Sequence, residues 1–172
     1  MRRLLWLVAI LSFTNDAGAM ELSSPDFADN ATLPADFVYT RCGGRNLSPA
    51  LVWSGVPKGT KSLALTLIDT SVRPSGWSHW IVVDLPPDAT SLARGTNALP
   101  RGASGVKSNF GDWSYDGPCP PEGSGLHRYR FTVWALGSRA PGIKPDDKAN
   151  SVTDALRKQA LASASLTANV AR

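Results

Sequence analysis

From His127 to Leu136 the chain alternates between two kinds of side chain. Tyr129, Phe131, Val133 and Ala135 fall on one side, and Arg128, Arg130, Thr132 and Trp134 on the other. Successive side chains of a strand point to opposite faces, so a period of two predicts a β-strand with one apolar face. Ser62 to Leu67 repeats the pattern and predicts a half-buried strand. His79 to Leu85, with Ile81, Val82 and Val83 at its centre, is a third candidate, and Leu51 to Trp53 a shorter one. Between them lie segments rich in turn formers, such as Val72-Arg73-Pro74-Ser75-Gly76 and Gly117-Pro118-Cys119-Pro120-Pro121. Only the end of the chain reads as helical. Ser151 is placed to cap it with Asp154 three residues on, and Val152, Ala155, Leu156 and Ala160 follow at helical spacing. The expectation is one mostly-β domain, a β-sandwich with a C-terminal helix.

The first residues are of another kind. Arg2-Arg3 precedes an apolar run from Leu4 to Phe13, and Ala17-Gly18-Ala19 supplies small residues at a cleavage site. This is the three-part pattern of a secretory signal peptide, so the chain divides into residues 1–19 and a domain over 20–172. The apolar run is about half of a bilayer span, which argues against stable membrane insertion. The expected location is periplasmic or secreted. Export gives meaning to the two cysteines, Cys42 and Cys119, because an oxidising compartment favours a disulfide. Two free buried thiols remain the alternative. With only two Cys and two His at these spacings, a zinc-finger module is excluded. A net charge of +4 and no Lys/Arg run beyond two disfavour nucleic acid as a partner.

The candidate chemistry lies at strand ends. Asp69 closes the first alternating strand, His79 opens the next, and His127 opens the third with Tyr129 two residues on, on the same face. Two imidazoles, a carboxylate and a phenol suit a small anion, because a protonated imidazole donates from both nitrogens and the phenol adds a donor. Taken singly, a strand-end histidine is more often a satisfied structural residue.

Longer blocks carry a resemblance. Met20-Glu21-Leu22-Ser23-Ser24-Pro25-Asp26-Phe27, Cys42-Gly43-Gly44-Arg45-Asn46-Leu47-Ser48-Pro49, Trp77-Ser78-His79-Trp80-Ile81-Val82, and Gly117 to Pro121 running on to Gly125-Leu126-His127-Arg128-Tyr129 occur in order. Together they resemble the phosphatidylethanolamine-binding protein family, in particular its bacterial, Raf kinase inhibitor-like branch. The resemblance implies a β-sandwich with a pocket for phosphate-like groups, including phosphorylethanolamine. Carried over by motif, the pocket is Asp69, His79, Pro121, His127 and Tyr129, with Ser71 and Trp77 at its rim. It also implies that Cys42 and Cys119 lie near each other. It implies no catalytic residue, no metal and no cofactor. The partner expected is a small anion, with any protein target, such as a kinase or protease, unspecified.

Two departures stand out. The family's second loop acid is replaced by Ser71, and Arg73 adds a positive charge, so the pocket is expected to favour anions over ammonium head groups. The His-x-Leu step of the family's terminal helix is here Gln159-Ala160-Leu161. Two other readings accompany the binding protein. One is a hydrolase acting on phosphoesters, metal-dependent through Asp69, His79 and His127 or working by acid–base chemistry. The other is a structural envelope domain with a vestigial pocket.

Overall fold

The computed structural model describes residues 19–96, 98–139 and 142–172, and the proposed signal peptide lies, but for its last residue, outside them. Nine strands and one helix follow in chain order. The strands are β1 (Glu21–Ser23), β2 (Ala31–Thr32), β3 (Leu51–Ser54), β4 (Ser62–Asp69), β5 (Trp77–Leu85), β6 (Ser91–Leu92), β7 (Ser104–Gly105) and β8 (Leu126–Leu136). Helix α1 (Ala149–Gln159) then leads directly into β9 (Ala160–Ala171). One sheet runs β1-β3-β6 and the other β2-β9-β8-β4-β5-β7. All pairings are antiparallel except that of β2 with β9.

The alternation in β8 sets the layers. Tyr129, Phe131, Val133 and Ala135 enter the core between the sheets, where they meet Leu51 and Trp53 of β3 and Leu63, Leu65 and Leu67 of β4. The opposite face of the large sheet is apolar only in part. There Ala64, Ile81, Val83 and Trp134 pack beneath Ala149, Val152 and Leu156 of α1. This second core corrects the half-buried reading of β4: it is buried on both faces over most of its length because α1 covers its outer side.

The C-terminal reading needs two further corrections. Lys148, not Ser151, is the N-cap of α1, and no side chain caps it. More importantly, the chain does not end in a helix. From Ala160 it becomes a strand of 12 residues paired along the whole of β8. Its inward residues Ala164, Leu166, Ala168 and Val170 alternate with Ser165, Thr167 and Asn169. Alanine is the best helix former, and small residues give only a faint period of two. Pairing with the long β8 ladder overrides that propensity. Gln159-Ala160-Leu161 is therefore a helix-to-strand junction.

Candidate functional site

The three central strands of the large sheet bring the predicted residues together at one end. Register sets Asp69 at the end of β4 opposite Tyr129 of β8 on one side and opposite Trp77 of β5 on the other. His127 lies two residues before Tyr129, so both rings leave the same face and stack with centroids 6.4 Å apart. His79 needs a special device to join them. Leu67 of β4 pairs with Trp80 and Ile68 pairs with Ser78, so His79 is the extra residue of a β-bulge. A bulge re-aims the side chain it carries. Here it leaves Trp80 in the inter-sheet core and puts the His79 ring edge-on to Tyr129, 5.1 Å between centroids.

The hydrogen bonds define where the protons sit. Asp69 is buried. Its Oδ1 accepts the Ser71 N–H at 2.9 Å and its Oδ2 faces His127 Nδ1 at 2.6 Å. The carboxylate accepts, so His127 Nδ1 donates and Nε2 is left uncommitted. His79 is held by a different acceptor in the same sense: its Nδ1 donates to the Asp116 carbonyl at 3.0 Å. Burial pushes His79 down to about 4, against the opposing pull of the Asp116 and Gly117 backbone and of Asp69. At neutral pH the ring is therefore uncharged, with a lone pair on Nε2. Burial, and next the Asp69 charge, push the Tyr129 hydroxyl far above its ordinary range, so it keeps its proton.

The loop from Tyr115 to Pro121 forms the facing wall and is tied down at several points. Tyr115 Oη donates to the Phe37 carbonyl at 2.6 Å, and Asn46 Oδ1 accepts the Gly117 N–H at 2.7 Å. The Tyr39 N–H donates to the Pro118 carbonyl at 3.0 Å. A Cβ at position 117 would overlap the Phe37 carbonyl oxygen, so this approach requires glycine. Cys42 and Cys119 form a disulfide with Cα atoms 5.6 Å apart, which clamps the loop to the turn at Thr40–Cys42. Phe110 rests against His79 and also meets Tyr39, with ring centroids 5.0 Å apart in both pairs.

The other sequence candidates are placed differently. Ser71 lies beside the site but its hydroxyl is engaged, accepting the Arg128 N–H at 3.0 Å. Trp77 is exposed at the edge. Pro121 is exposed, and its carbonyl closes a turn with Ser124; no described contact joins it to the histidines. Arg73 lines a cleft on the opposite face of the sheet, together with Arg130, and not the histidine cluster. Among the described residues, no three His, Cys, Asp or Glu side chains are arranged to hold a metal ion. Tyr39, Phe110 and Asp116 were not foreseen. They come from loops without periodicity, and only the turn-forming segment Gly117 to Pro121 marked that region at all.

Comparisons with known proteins agree with this fold. Residues 23–171 match the family model described as phosphatidylethanolamine-binding protein. The UPF0098 protein YbcL of Escherichia coli is 35% identical over 169 residues, covering 94% of this chain and 92% of that protein. Its crystal structure, described as a new member of the mammalian PEBP family, superposes with a TM-score of 0.84 at 33% identity, over 90% of this chain and 99% of that one. The E. coli protein YbhB is 40% identical over 156 residues, covering 87% of this chain and 98% of that protein. A Mycobacterium tuberculosis protein named as the lipoprotein LppC is 37% identical over 147 residues, covering 84% of this chain and 70% of its own. With the family model spanning nearly all of the described chain and the sandwich shared, the protein belongs to the phosphatidylethanolamine-binding protein family.

Proposed function

We propose that the protein is an exported binding module that holds a phosphate-like anion, such as a phospholipid head group, between His79, His127 and Tyr129. One observation carries this reading: both imidazoles have Nδ1 engaged by a protein acceptor, and no described hydrogen bond uses either Nε2. Both Nε2 atoms are thus held in fixed orientation. Asp69 positions His127 by accepting its Nδ1–H. Export is supported by the disulfide, by the leader-like residues 1–19 and by the name of the LppC relative. The loss of the second loop acid at Ser71 leaves an ammonium group fewer partners, so phosphate is expected to bind at least as well as phosphorylethanolamine.

Calorimetric titration with phosphate and with sulfate tests the site. Asp69→Asn and His127→Ala are each expected to weaken phosphate binding by about tenfold or more, the scale of a charge-assisted hydrogen bond. Sulfate keeps a constant charge between pH 5 and 8 and isolates the protein's own protons. A bound anion stabilises the His79 imidazolium, which the free protein forms only near pH 4. Binding therefore takes up a proton, and sulfate affinity rises as pH falls from 7 towards 5. Unchanged affinity in both variants, or a sulfate affinity that falls on acidification, overturns the reading. Phosphoesterase turnover abolished by His127→Ala would replace it with the hydrolase.

A further inference from the structure

A polar concavity lies on the face of the large sheet opposite the histidine cluster. It is a cleft of about 630 Å³ between α1 and the strands β4, β8 and β9. Residue parity builds it. Asp69, His127 and Tyr129 are odd-numbered and face the inter-sheet side, whereas Thr66, Ile68, Arg130 and Thr132 are even-numbered and line the cleft. On α1, Asn150, Thr153, Asp154 and Arg157 recur at helical spacing and close the opposite wall. The apolar stripe of that helix, Ala149, Val152 and Leu156, anchors it to the sheet.

The floor is a row of hydroxyls set by strand register. Thr66 of β4, Thr132 of β8 and Ser165 of β9 lie side by side. Thr132 and Ser165 share a hydrogen bond of 2.9 Å, and Thr66 Oγ1 accepts from Trp134 Nε1 at 3.1 Å. Thr66 and Thr132 are buried and their hydroxyls are engaged, so the hydroxyls open to a ligand are those of Ser163 and Ser165, both exposed on β9. Above this floor stand Arg73, Arg130 and Arg157. Arg157 shares its charge with Asp154 at 3.0 Å. Among the described residues neither Arg73 nor Arg130 has an acidic partner within 4.0 Å. The balance is two excess positive charges over a hydroxylated floor, in a volume within the roughly 300–1,000 Å³ usual for small-molecule sites.

We propose that this cleft binds an anionic sugar: a ligand whose phosphate or carboxylate is met by Arg73 and Arg130 and whose hydroxyls meet the exposed hydroxyl row of Ser163 and Ser165 and Asn150. A bare anion would leave most of the volume and the hydroxyl row unused, and a neutral sugar would leave both guanidinium groups unpaired. This site does not depend on the histidine cluster, so the two proposals stand or fall separately.

The test is amide chemical-shift titration of the whole chain with glucose 6-phosphate and with glucuronate, with glucose and inorganic phosphate as controls. The phosphorylated and carboxylated probes distinguish the two sources of the anion. At least one is expected to shift Arg130, Thr132, Ser163 and Ser165 and to bind more tightly than glucose. In the double variant Arg73→Ala/Arg130→Ala its affinity is expected to drop about tenfold or more. His127→Ala leaves it unchanged. Both arginines are exposed, and an unaltered melting temperature shows that the variant is folded. No shifts in the cleft, equal binding of glucose, retention of affinity in the double variant, or loss of it in His127→Ala each overturn the proposal.

Discussion

Reducing the disulfide between Cys42 and Cys119 costs the protein about 4.5 kcal/mol of stability, because the bond closes a loop spanning 77 positions in the unfolded chain. For a chain of this size that corresponds to a fall in melting temperature of roughly 10 °C or more. The same bond reaches the site. Cys119 is three residues from Asp116, whose carbonyl fixes the His79 tautomer, and Cys42 ends the turn that begins beside Tyr39. Reduction is therefore expected to weaken phosphate binding as well. Guanidinium unfolding with and without reductant measures the first effect. The variant Cys42→Ser/Cys119→Ser is the control: it matches the reduced protein and ignores reductant. A difference below about 1 kcal/mol would show that backbone contacts, such as the Tyr39 N–H to the Pro118 carbonyl, already hold the loop without the bond.

Which features were legible in the sequence follows from what leaves a periodic trace. β4 and β8 alternate large apolar side chains with smaller or polar ones, so their existence, limits and core faces could be read directly. β9 alternates too, but its inward set begins with Ala164 and its outward set is Ser165, Thr167 and Asn169, and this contrast is too weak to outweigh alanine's helical preference. The site divides in the same way. Asp69, His127 and Tyr129 needed only strand parity and register to meet. His79 needed one extra residue in β5, and a bulge has no signature in composition. Without it the ring would point with Ile81 and Val83 towards α1. Tyr39, Phe110 and Asp116 reach the cluster through tertiary contacts of loops, which local pattern cannot encode.

Asp116→Asn stabilises the protein progressively as pH rises from about 4 to 6, and His79→Gln does the opposite. Asp116 is 3% exposed, and its Oδ2 has no hydrogen-bond partner among the described residues. Burial, with Asp112 as a secondary cause, pushes its carboxyl up to about 6 from an ordinary 3.8. Across that interval the folded state keeps a proton that the unfolded state has released. Its contribution is complete at low pH and is lost as pH rises through about 6. His79 has the reverse sign. Burial holds it at about 4 against an ordinary 6.5, so between those values the unfolded state binds a proton that the folded state refuses. Its contribution is complete above 6.5 and is lost as pH falls towards 4, a change of about 3 kcal/mol. The causes are separate: the Asp116 side chain is not among the groups that shift His79, and His79 is not among those that shift Asp116. In the native protein the two slopes therefore oppose each other between about pH 4 and 6, and each single variant uncovers the other. Denaturant unfolding at several pH values, read as the difference between each variant and the native protein, removes the titrations common to all three. Differences that do not change with pH, or that change with the same sign in both variants, would show that neither group is held in the protonation state assigned to it. The compensation also bears on binding. Asp116 exposes the fold to a buried charge at neutral pH while its carbonyl holds the His79 Nδ1 proton. Any residue at position 116 supplies that carbonyl, so Asp116→Asn removes the buried charge and leaves unchanged the His79 tautomer on which the proposed anion site rests.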